Sequence, residues 1–334
     1  MTSKLFAQLF DRTYKIFTND LTCSLDLEQE AFDGRHFSID GFFHAHHKYF
    51  GKPEDFYHTF NAPRNDDLKL EGFNEKLRSK DYSFPSPIAT EWPENNKARF
   101  HFFTGNQPSD VLLLFAPGWA RNNLIAEAAF CNRLLEKGID SCLLVKPFHQ
   151  QRTPAGFFSG ELFISHNVFL TIKNFQQFVA EIRFLMQYYR QRYKYIGLIG
   201  MSSGGFQTGL VLNTEYADFY FPVITGAKLG SIAWRGRLSV FLRQRAQQKG
   251  FTENDLNKVW AISDQYYLGH HCKAKHIKQF LSLYDEIVPT ENQYLLWEIY
   301  NKPELTKMHC AHVSIFFYMN RIADEISTFI KERI

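Results

Sequence analysis

The sequence predicts an α/β fold with a mostly parallel central sheet and helices on both of its faces. One observation is that, from Val111 onward, short apolar runs alternate with segments of amphipathic helical spacing. Residues 111–116 (VLLLFA) are continuously apolar, as expected of a strand that is buried on both faces. A second observation is the apolar spacing of residues 171–190, which fits one face of a long helix. A third is Gly138, which follows the helix-forming residues 124–137, where a helix commonly ends.

The other elements are predicted from the same alternation. Further strands are expected at residues 141–147, 195–199, 219–225, 276–284 and 305–308. Further helices are expected at residues 203–213, 290–300 and 313–334. The part of the chain before Val111 predicts short helices at residues 56–60 and 68–77. It then predicts antiparallel edge strands at residues 88–91 and 98–103, after two prolines that interrupt the chain.

The chain is expected to consist of an N-terminal helical extension, residues 1–80, packed on a main domain, residues 81–334. Within the main domain, residues 228–275 are too long for a simple crossover and predict a helical cap. An insertion at this point lies above the carboxyl edge of the strands, where such sheets bind ligands. Its apolar residues either roof a substrate cleft or fasten the cap to the sheet, and both alternatives stay open. These residues are Leu229, Ile232, Trp234, Leu238, Phe241 and Leu242.

The composition excludes several classes of protein. A formal net charge of +3 over 334 residues gives no basic surface of the kind that nucleic-acid binding needs. The five cysteines are scattered, which argues against a disulfide framework and for a reducing compartment. No apolar stretch is long enough to span a membrane, and the amino terminus lacks the continuous apolar core of a signal peptide. We expect a soluble cytoplasmic protein, with export by an unmarked route as the alternative.

The motif that carries chemistry is Gly200-Met201-Ser202-Ser203-Gly204, which matches the nucleophile elbow G-x-S-x-G. In this elbow a strand turns so sharply into a helix that side chains two positions away from the serine would clash. The predicted strand before the motif and the predicted helix after it provide this context. We therefore predict Ser202 as a nucleophile, with its hydroxyl raised above the sheet edge at a helix N-terminus, where anions are stabilised.

A serine nucleophile needs a base, and the base needs a carboxylate that orients it. Asp285 ends a predicted strand and opens D-x-x-V-P, so it is preferred as the acid over its neighbour Glu286. His312 comes 27 residues later, in the loop before the last helix, and is preferred as the base over His309. The chain order serine, acid, histidine agrees with the order that accompanies this elbow.

The tetrahedral intermediate of acyl transfer needs backbone N–H donors for its oxyanion. The amide of Ser203, the residue after the nucleophile, is one candidate. The other is the amide of Trp119, in the loop after residues 111–116, where Gly118 permits close approach of the backbone. Gly118 is also a candidate for substrate binding, together with His149, Arg152 and Trp234. No metal or cofactor is implied by this chemistry.

From Val111 to its last residue, the chain resembles the α/β-hydrolase superfamily, a fold with a helical cap inserted over the sheet. More narrowly, it resembles the group around α/β-hydrolase domain-containing protein eighteen and its bacterial relatives. Three segments carry this resemblance: residues 143–163, 197–205 and 228–250. It implies a serine hydrolase that cleaves a carboxylic ester or a lipid. Pro117-Gly118-Trp119 departs from the His-Gly that many hydrolases have at this position.

Other functions remain open on the same residues. The triad does not specify the leaving group, so an acyltransferase, a thioesterase or a peptidase is an alternative, as is a binding protein without turnover. Two basic stretches within and just after the cap suggest either solvated helix faces or peripheral contact with an anionic membrane. The histidine groups lack the paired spacing of zinc sites and are interpreted as packing or surface residues. They are His44, His46, His47, His270, His271 and His276.

Overall fold

A computed structural model describes residues 2–13, 38–57, 63–64, 66–165 and 167–334 of the chain. Nine strands of this described part form one sheet, in the spatial order β1-β2-β3-β5-β4-β6-β7-β8-β9. The strands are β1 Lys69–Asn74, β2 Ser79–Pro85, β3 Lys97–Phe103, β4 Val111–Ala116, β5 Asp140–Val145, β6 Tyr195–Met201, β7 Ala217–Val223, β8 Ala274–Ser282 and β9 Glu304–Met308. The first three strands and β5 pair antiparallel, and all other pairs are parallel.

The described helices surround this sheet. They are α1 Thr2–Thr13, α2 Ile39–His47, α3 Pro53–Phe56, α4 Ile125–Glu136, α5 Val168–Tyr189, α6 Ser203–Leu212, α7 Leu229–Arg235, α8 Val240–Gln248, α9 Glu253–Val259, α10 Gln265–Leu268, α11 Thr290–Ile299 and α12 Met319–Lys331. None of the described helices combines the length and the apolarity that crossing a membrane would take.

The two faces of the sheet carry separate apolar cores, because alternate side chains of a strand point to opposite faces. In β4, Leu112 and Leu114 pack into one core with α5, α6, α11 and the helices of residues 228–275. Leu113 and Phe115 pack into the other core with α4 and α12. Burial on both sides explains why β4 is apolar at every position. The predicted fold class, a mostly parallel sheet between two layers of helices, is confirmed.

The predicted helix at residues 68–77 is wrong, because β1 occupies most of this segment and pairs with β2 as an edge hairpin. The pairing register shifts between Leu70 and Gly72, and Gly72 has a φ of 147°. This bulge adds a residue to the strand, so Leu70 and Phe73 stand three positions apart, a spacing that resembles a helix. Both side chains are more than half exposed, as the outer edge of a sheet permits.

The edge strand predicted at residues 88–91 is also wrong. These residues form a loop in which the Thr90 N–H donates to Asn96 Oδ1 at 2.7 Å instead of to a neighbouring strand. The second predicted edge strand, residues 98–103, is confirmed as part of β3. The helix predicted at residues 56–60 lies in part outside the described residues, and the described helix α3 ends at Phe56.

Residues 228–275, between β7 and β8, hold helices α7 to α10 and are called the cap. A buried carboxylate fastens the cap at its entrance, since Asp264 Oδ1 accepts from Lys228 N at 3.0 Å and from Tyr266 N at 2.9 Å. The Leu229 amide also donates to Asp264. Residues 38–57 contact this part of the chain, because the Tyr57 hydroxyl donates to Ile262 O at 2.8 Å. The division of the chain at residue 80 stays a prediction.

Candidate active site

Ser202 lies at the junction of β6 and α6 in a strained backbone conformation, with φ 52° and ψ −121°. The neighbouring glycines permit this turn. A Cβ on Gly204 would lie 2.0 Å from Ala116 O, and one on Gly205 would lie 2.3 Å from the Thr225 side chain. A Cβ on Gly200 would lie 2.5 Å from Gly205 Cα. The geometry is that of a nucleophile elbow, and it presents Ser202 at the carboxyl edge of the parallel strands.

A continuous chain of hydrogen bonds joins Ser202 to His312 and Asp285. His312 Nε2 lies 2.8 Å from Ser202 Oγ, and His312 Nδ1 lies 2.7 Å from Asp285 Oδ2. Because an ionised carboxylate only accepts, Nδ1 carries the proton and Nε2 is left to accept from the serine hydroxyl. This tautomer is the one that lets an imidazole act as a base toward a serine.

Asp285 is held by the loop that follows it. Its Oδ1 accepts from the Ile287 and Val288 amides, each at 2.8 Å, and its Oδ2 accepts from Gln293 Nε2 at 2.8 Å. The D-x-x-V-P segment therefore turns around its own carboxylate. Burial by itself would lower the pKa of His312, but the charge and hydrogen bond of Asp285 outweigh it, with a smaller contribution from Asp11. The pKa of His312 is raised as a result.

The rival residues have other partners. His309 is exposed, and its Nδ1 lies 3.1 Å from the Tyr284 hydroxyl. The Glu286 carboxylate lies 3.7 Å from Arg237 Nη1. Of the two candidate acids and two candidate bases, the structure therefore brings Asp285 and His312 together with Ser202.

The loop after β4 passes close to the elbow. A Cβ on Gly118 would lie 3.7 Å from Ser202 Cβ, and the Trp119 indole Nε1 donates to Gly160 O at 2.6 Å. The Trp119 ring also stacks on Phe241 of α8 at a centroid distance of 6.1 Å. Ser203 begins α6, so its amide lies in the first turn of a helix, where N–H groups have no partner within the helix. Both residues predicted to bind an oxyanion therefore lie beside Ser202.

Sequence reasoning placed His149 and Arg152 at the substrate, and the structure places both side chains in the interior. His149 Nδ1 donates to Pro147 O at 2.8 Å, which leaves Nε2 to accept from the Ala120 amide at 3.1 Å. Burial lowers the pKa of His149 to about 3. The imidazole is therefore neutral, and it supports the loop after β4 from behind.

Arg152 is fully buried and forms two hydrogen bonds with Glu181 of α5, at 2.6 Å and 2.8 Å. Its guanidinium also donates to the carbonyls of Val145 and Asn95. The expectation for Trp234 is corrected as well. Its half-buried ring packs against the core of the cap and does not line the cleft described below, whereas Gly118 does.

A cleft of about 920 Å³, including its open mouth, lies above Ser202 and His312. The cap supplies one wall through apolar side chains, and the sheet edge and the turn at Val313–Tyr318 supply the other. The apolar lining residues of the cap are Leu229, Ile232, Ala233, Leu238 and Leu242. Of the two alternatives for the cap, these side chains therefore favour the roof of a substrate cleft. Phe241 stacks on Trp119 instead.

Comparisons with known proteins give few relatives by sequence. No protein-family model matches the chain. A stretch of 107 residues, 32% of the chain, is 22% identical to the uncharacterized protein YdjC of Bacillus subtilis (strain 168) and covers 92% of it.

Solved structures give a stronger likeness. An acetyl xylan esterase from Paenibacillus sp. R4 matches with a TM-score of 0.58 and 13% identity, over 90% of this chain and 99% of the esterase. The Pyrococcus furiosus esterase Pf2001 matches with a TM-score of 0.52 and 18% identity, over 81% of this chain and 99% of the esterase. These hydrolases share the arrangement of sheet and helices described above. The chain has the α/β-hydrolase fold.

A Pyrococcus horikoshii acylaminoacyl peptidase also matches, with a TM-score of 0.58 and 12% identity over 79% of this chain. The chain spans 42% of the length of that peptidase. At these identities the likeness establishes the α/β-hydrolase fold alone, and the chemistry of this chain has to be argued from its own residues.

Sequence reasoning missed three ionisable residues around this site. Arg121 lines the cleft, lies 2.7 Å from the buried Glu127 and stacks over the Phe316 ring. Lys146 is almost fully buried and donates to Ser203 Oγ at 2.5 Å. Asp11 of α1 accepts hydrogen bonds from backbone amides beside His312. Arg121 follows the Pro-Gly-Trp loop and could have been found from that position, whereas nothing near Lys146 or Asp11 in sequence indicated their contacts.

Proposed function

We propose that this protein is a serine hydrolase that cleaves a carboxylic ester through an acyl-enzyme. The observation that carries the proposal is the chain of hydrogen bonds from Asp285 through His312 to Ser202, at 2.7 Å and 2.8 Å. The strained elbow at Ser202 and the apolar cleft above it support the same conclusion. The finer resemblance, to the group around α/β-hydrolase domain-containing protein eighteen, belongs to this proposal.

The reaction proceeds in two halves. Ser202 Oγ attacks the ester carbonyl while His312 Nε2 takes the hydroxyl proton, and Asp285 stabilises the resulting imidazolium. The amides of Trp119 and Ser203 donate to the oxyanion, and each such donor contributes about 3 kcal/mol of transition-state stabilisation. The imidazolium returns its proton to the departing alcohol. Water then attacks the acyl-enzyme by the same route, which releases the acid and restores Ser202.

The acyl group is proposed to occupy the cleft under the cap. Ile232 and Leu242 reach it from α7 and α8, and Phe206 lines it from α6. Apolar walls of this kind favour burial of methylene groups, at about 0.8 kcal/mol for each one removed from water. We therefore propose a medium or longer acyl chain in preference to acetyl.

Peripheral membrane contact is not part of this proposal, since arginines of the cap already have partners. Arg235 lies 2.9 Å from Glu253, and Arg237 lies 3.7 Å from Glu286. Such pairing reduces the positive charge that could attract an anionic surface.

A fluorophosphonate probe tests the proposed nucleophile directly, because it modifies an activated serine without the need for a known substrate. Wild-type protein is expected to react once, at Ser202, as located by peptide mass spectrometry. The Ser202→Ala variant should not react and should lose several orders of magnitude of p-nitrophenyl ester turnover with its fold intact. Ser239→Ala is the matched control, since this serine also lines the cleft.

A Ser202→Ala variant that keeps more than a tenth of wild-type turnover would show that Ser202 is not the nucleophile. A wild-type protein that neither reacts with the probe nor hydrolyses any ester would favour the alternative of a binding protein without turnover.

A further inference from the structure

The N-terminal helix α1 places a carboxylate against the two loops that carry the proposed acid and base. Asp11 is fully buried, and its Oδ1 accepts from the Val313 amide at 2.8 Å. Its Oδ2 accepts from the His312 amide at 3.1 Å and from the Glu286 amide at 3.3 Å. One side chain therefore joins the residue after Asp285 to the backbone of His312.

Through these bonds, Asp11 accepts from the first backbone amides of the turn that follows His312. The 3-10 turn at Val313–Tyr318 begins at His312, whose own side chain forms no capping bond because it faces Asp285 and Ser202. The first amides of such a turn need acceptors from elsewhere. Asp11 supplies them from a helix that lies about three hundred positions earlier in the sequence.

We propose that Asp11 is a positioning residue for the proposed hydrolase, because it fixes the backbone of His312 relative to Asp285. The inference rests on the proposed function and deepens it. The two loops are also joined beside His312, since the Tyr284 amide donates to Cys310 O at 3.0 Å and the Tyr284 hydroxyl lies 3.1 Å from His309 Nδ1. Without Asp11, however, the amide of His312 itself would lose its acceptor. The imidazole could then rotate away from Ser202, and a displacement of about 1 Å costs on the order of a hundredfold in rate.

The charge of Asp11 supports the same role. Among the described residues, Asp285 and Asp11 are the charged groups whose fields raise the pKa of His312, and Arg121 is a cation that lines the same cleft. The pKa of Asp11 is raised, first by burial and then by the charge of Asp285, and the bonds from the Val313 and Glu286 amides offset part of this rise. As an anion, Asp11 stabilises the imidazolium that forms when Ser202 attacks.

The test compares Asp11→Asn and Asp11→Ala with Lys4→Ala, an exposed position on the same helix. Asparagine keeps the shape of the side chain, but its amide nitrogen would have to face backbone N–H donors in place of one carboxylate oxygen. Both Asp11 variants are expected to lose roughly tenfold to a hundredfold in kcat. Their KM should change little, since Asp11 does not line the cleft. Lys4→Ala should behave as wild type.

A second readout separates positioning from mere stabilisation of the fold. Loss of the negative charge of Asp11 should lower the pKa of His312, so the acidic limb of kcat/KM should move to lower pH. The same shift should be seen in the NMR titration of the His312 ring in the full chain, assigned by comparison with His312→Gln. Asp11→Asn keeps the test valid if Asp11→Ala does not fold.

The inference is overturned if both Asp11 variants keep wild-type kcat and an unshifted acidic limb, even when their melting temperatures fall. The NMR titration needs no turnover, so it reports on Asp11 even if the proposed function fails. An unlabelled Ser202 in wild-type protein would contradict the hydrolase, whereas an unshifted His312 in Asp11→Asn would contradict the role of Asp11.

Discussion

At the scale of single residues, the proposed chemistry depends on how His312 is surrounded. Its ring touches Asp285 and Ser202, and its backbone amide donates to Asp11. The fields of the Asp285 and Asp11 carboxylates favour the protonated form of the imidazole, which is the form that the first half of the proposed reaction creates. The exposed His309, three positions earlier, has none of these contacts.

Substitution of the two histidines should therefore give opposite results. His312→Ala should lower kcat/KM for a p-nitrophenyl ester by about four orders of magnitude, because the base is removed. His309→Ala should stay within about threefold of wild type. Steady-state kinetics on both purified variants checks this. A large loss in His309→Ala with little loss in His312→Ala would reverse the assignment of the base.

The raised pKa of His312 also sets the pH dependence of activity. The base must be neutral to accept the proton of Ser202, so activity should rise as pH increases through the pKa of His312. Since this pKa is raised from an ordinary value of 6.5, the acidic limb of kcat/KM should have its midpoint above pH 6.5. A profile of kcat/KM between about pH 5 and 9 measures it. A midpoint clearly below 6.5 would contradict the proposed environment of His312.

At the scale of the elements, the cap shapes the cleft in which the acyl group is proposed to bind. Helices α7 and α8 bring Ile232 and Leu242 into the cleft wall, although both are buried and also contribute to the core. These side chains therefore present an apolar surface to a substrate while they also pack the cap onto the sheet. The same residues thus serve both of the roles that the sequence left open.

A larger side chain in the cleft wall should shift the preference of the protein toward shorter acyl chains. Wild-type protein should turn over p-nitrophenyl octanoate with a higher kcat/KM than the acetate. Ile232→Trp should lower kcat/KM for the octanoate about tenfold and leave the acetate within about threefold, because added volume displaces the distal part of the chain. Ile232→Val is the size control and should keep the wild-type preference. Equal turnover of both esters by wild type would remove the preference for longer chains.

The elements also show where sequence reasoning succeeded and where it failed. Strands β4 and β6 were predictable because burial on both faces requires continuous apolar runs. Asp285 was predictable because it follows a predicted strand at the sheet edge where ligands bind. Strand β1 was not predictable, because its bulge at Gly72 interrupts the alternation of apolar and polar side chains that indicates an edge strand. Asp11 was out of reach for a different reason: its amide partners lie 275 to 302 residues away in sequence. No local pattern records such contacts.

At the scale of the whole molecule, several charged groups lie in the interior. The Arg152–Glu181 pair joins the loop after β5 to α5, with both side chains nearly inaccessible to solvent. Lys146 is different, because its described contacts are the Ser203 hydroxyl and the rings of Phe163 and Phe178. Burial lowers the pKa of Lys146 well below its usual value. Burial therefore disfavours the charged form of this lysine in the folded protein.

This lysine should make the stability of the protein depend on pH. A base whose pKa is lower in the folded state takes up a proton on unfolding, so stability falls as pH decreases from about 10. Lys146→Met removes that uptake, and its melting temperature should exceed that of wild type by about 1–3 °C at pH 7. The difference should shrink toward pH 10. Differential scanning calorimetry measures both, with the exposed Lys331→Met as control. A difference that does not vary with pH would contradict this prediction.

The close packing around the elbow glycines affects how active relatives of this protein can be distinguished from inactive ones by sequence. A copy that had lost Asp285 or His312 would still need Gly204 and Gly205, since a side chain there would collide with Ala116 or Thr225. The glycine pattern is therefore required by the path of the backbone. Selection for a folded protein would keep these glycines even in a copy that had lost its activity. On the proposed mechanism, joint retention of the serine, the aspartate and the histidine is the feature that would separate active enzymes from inactive copies in a survey of related genomes.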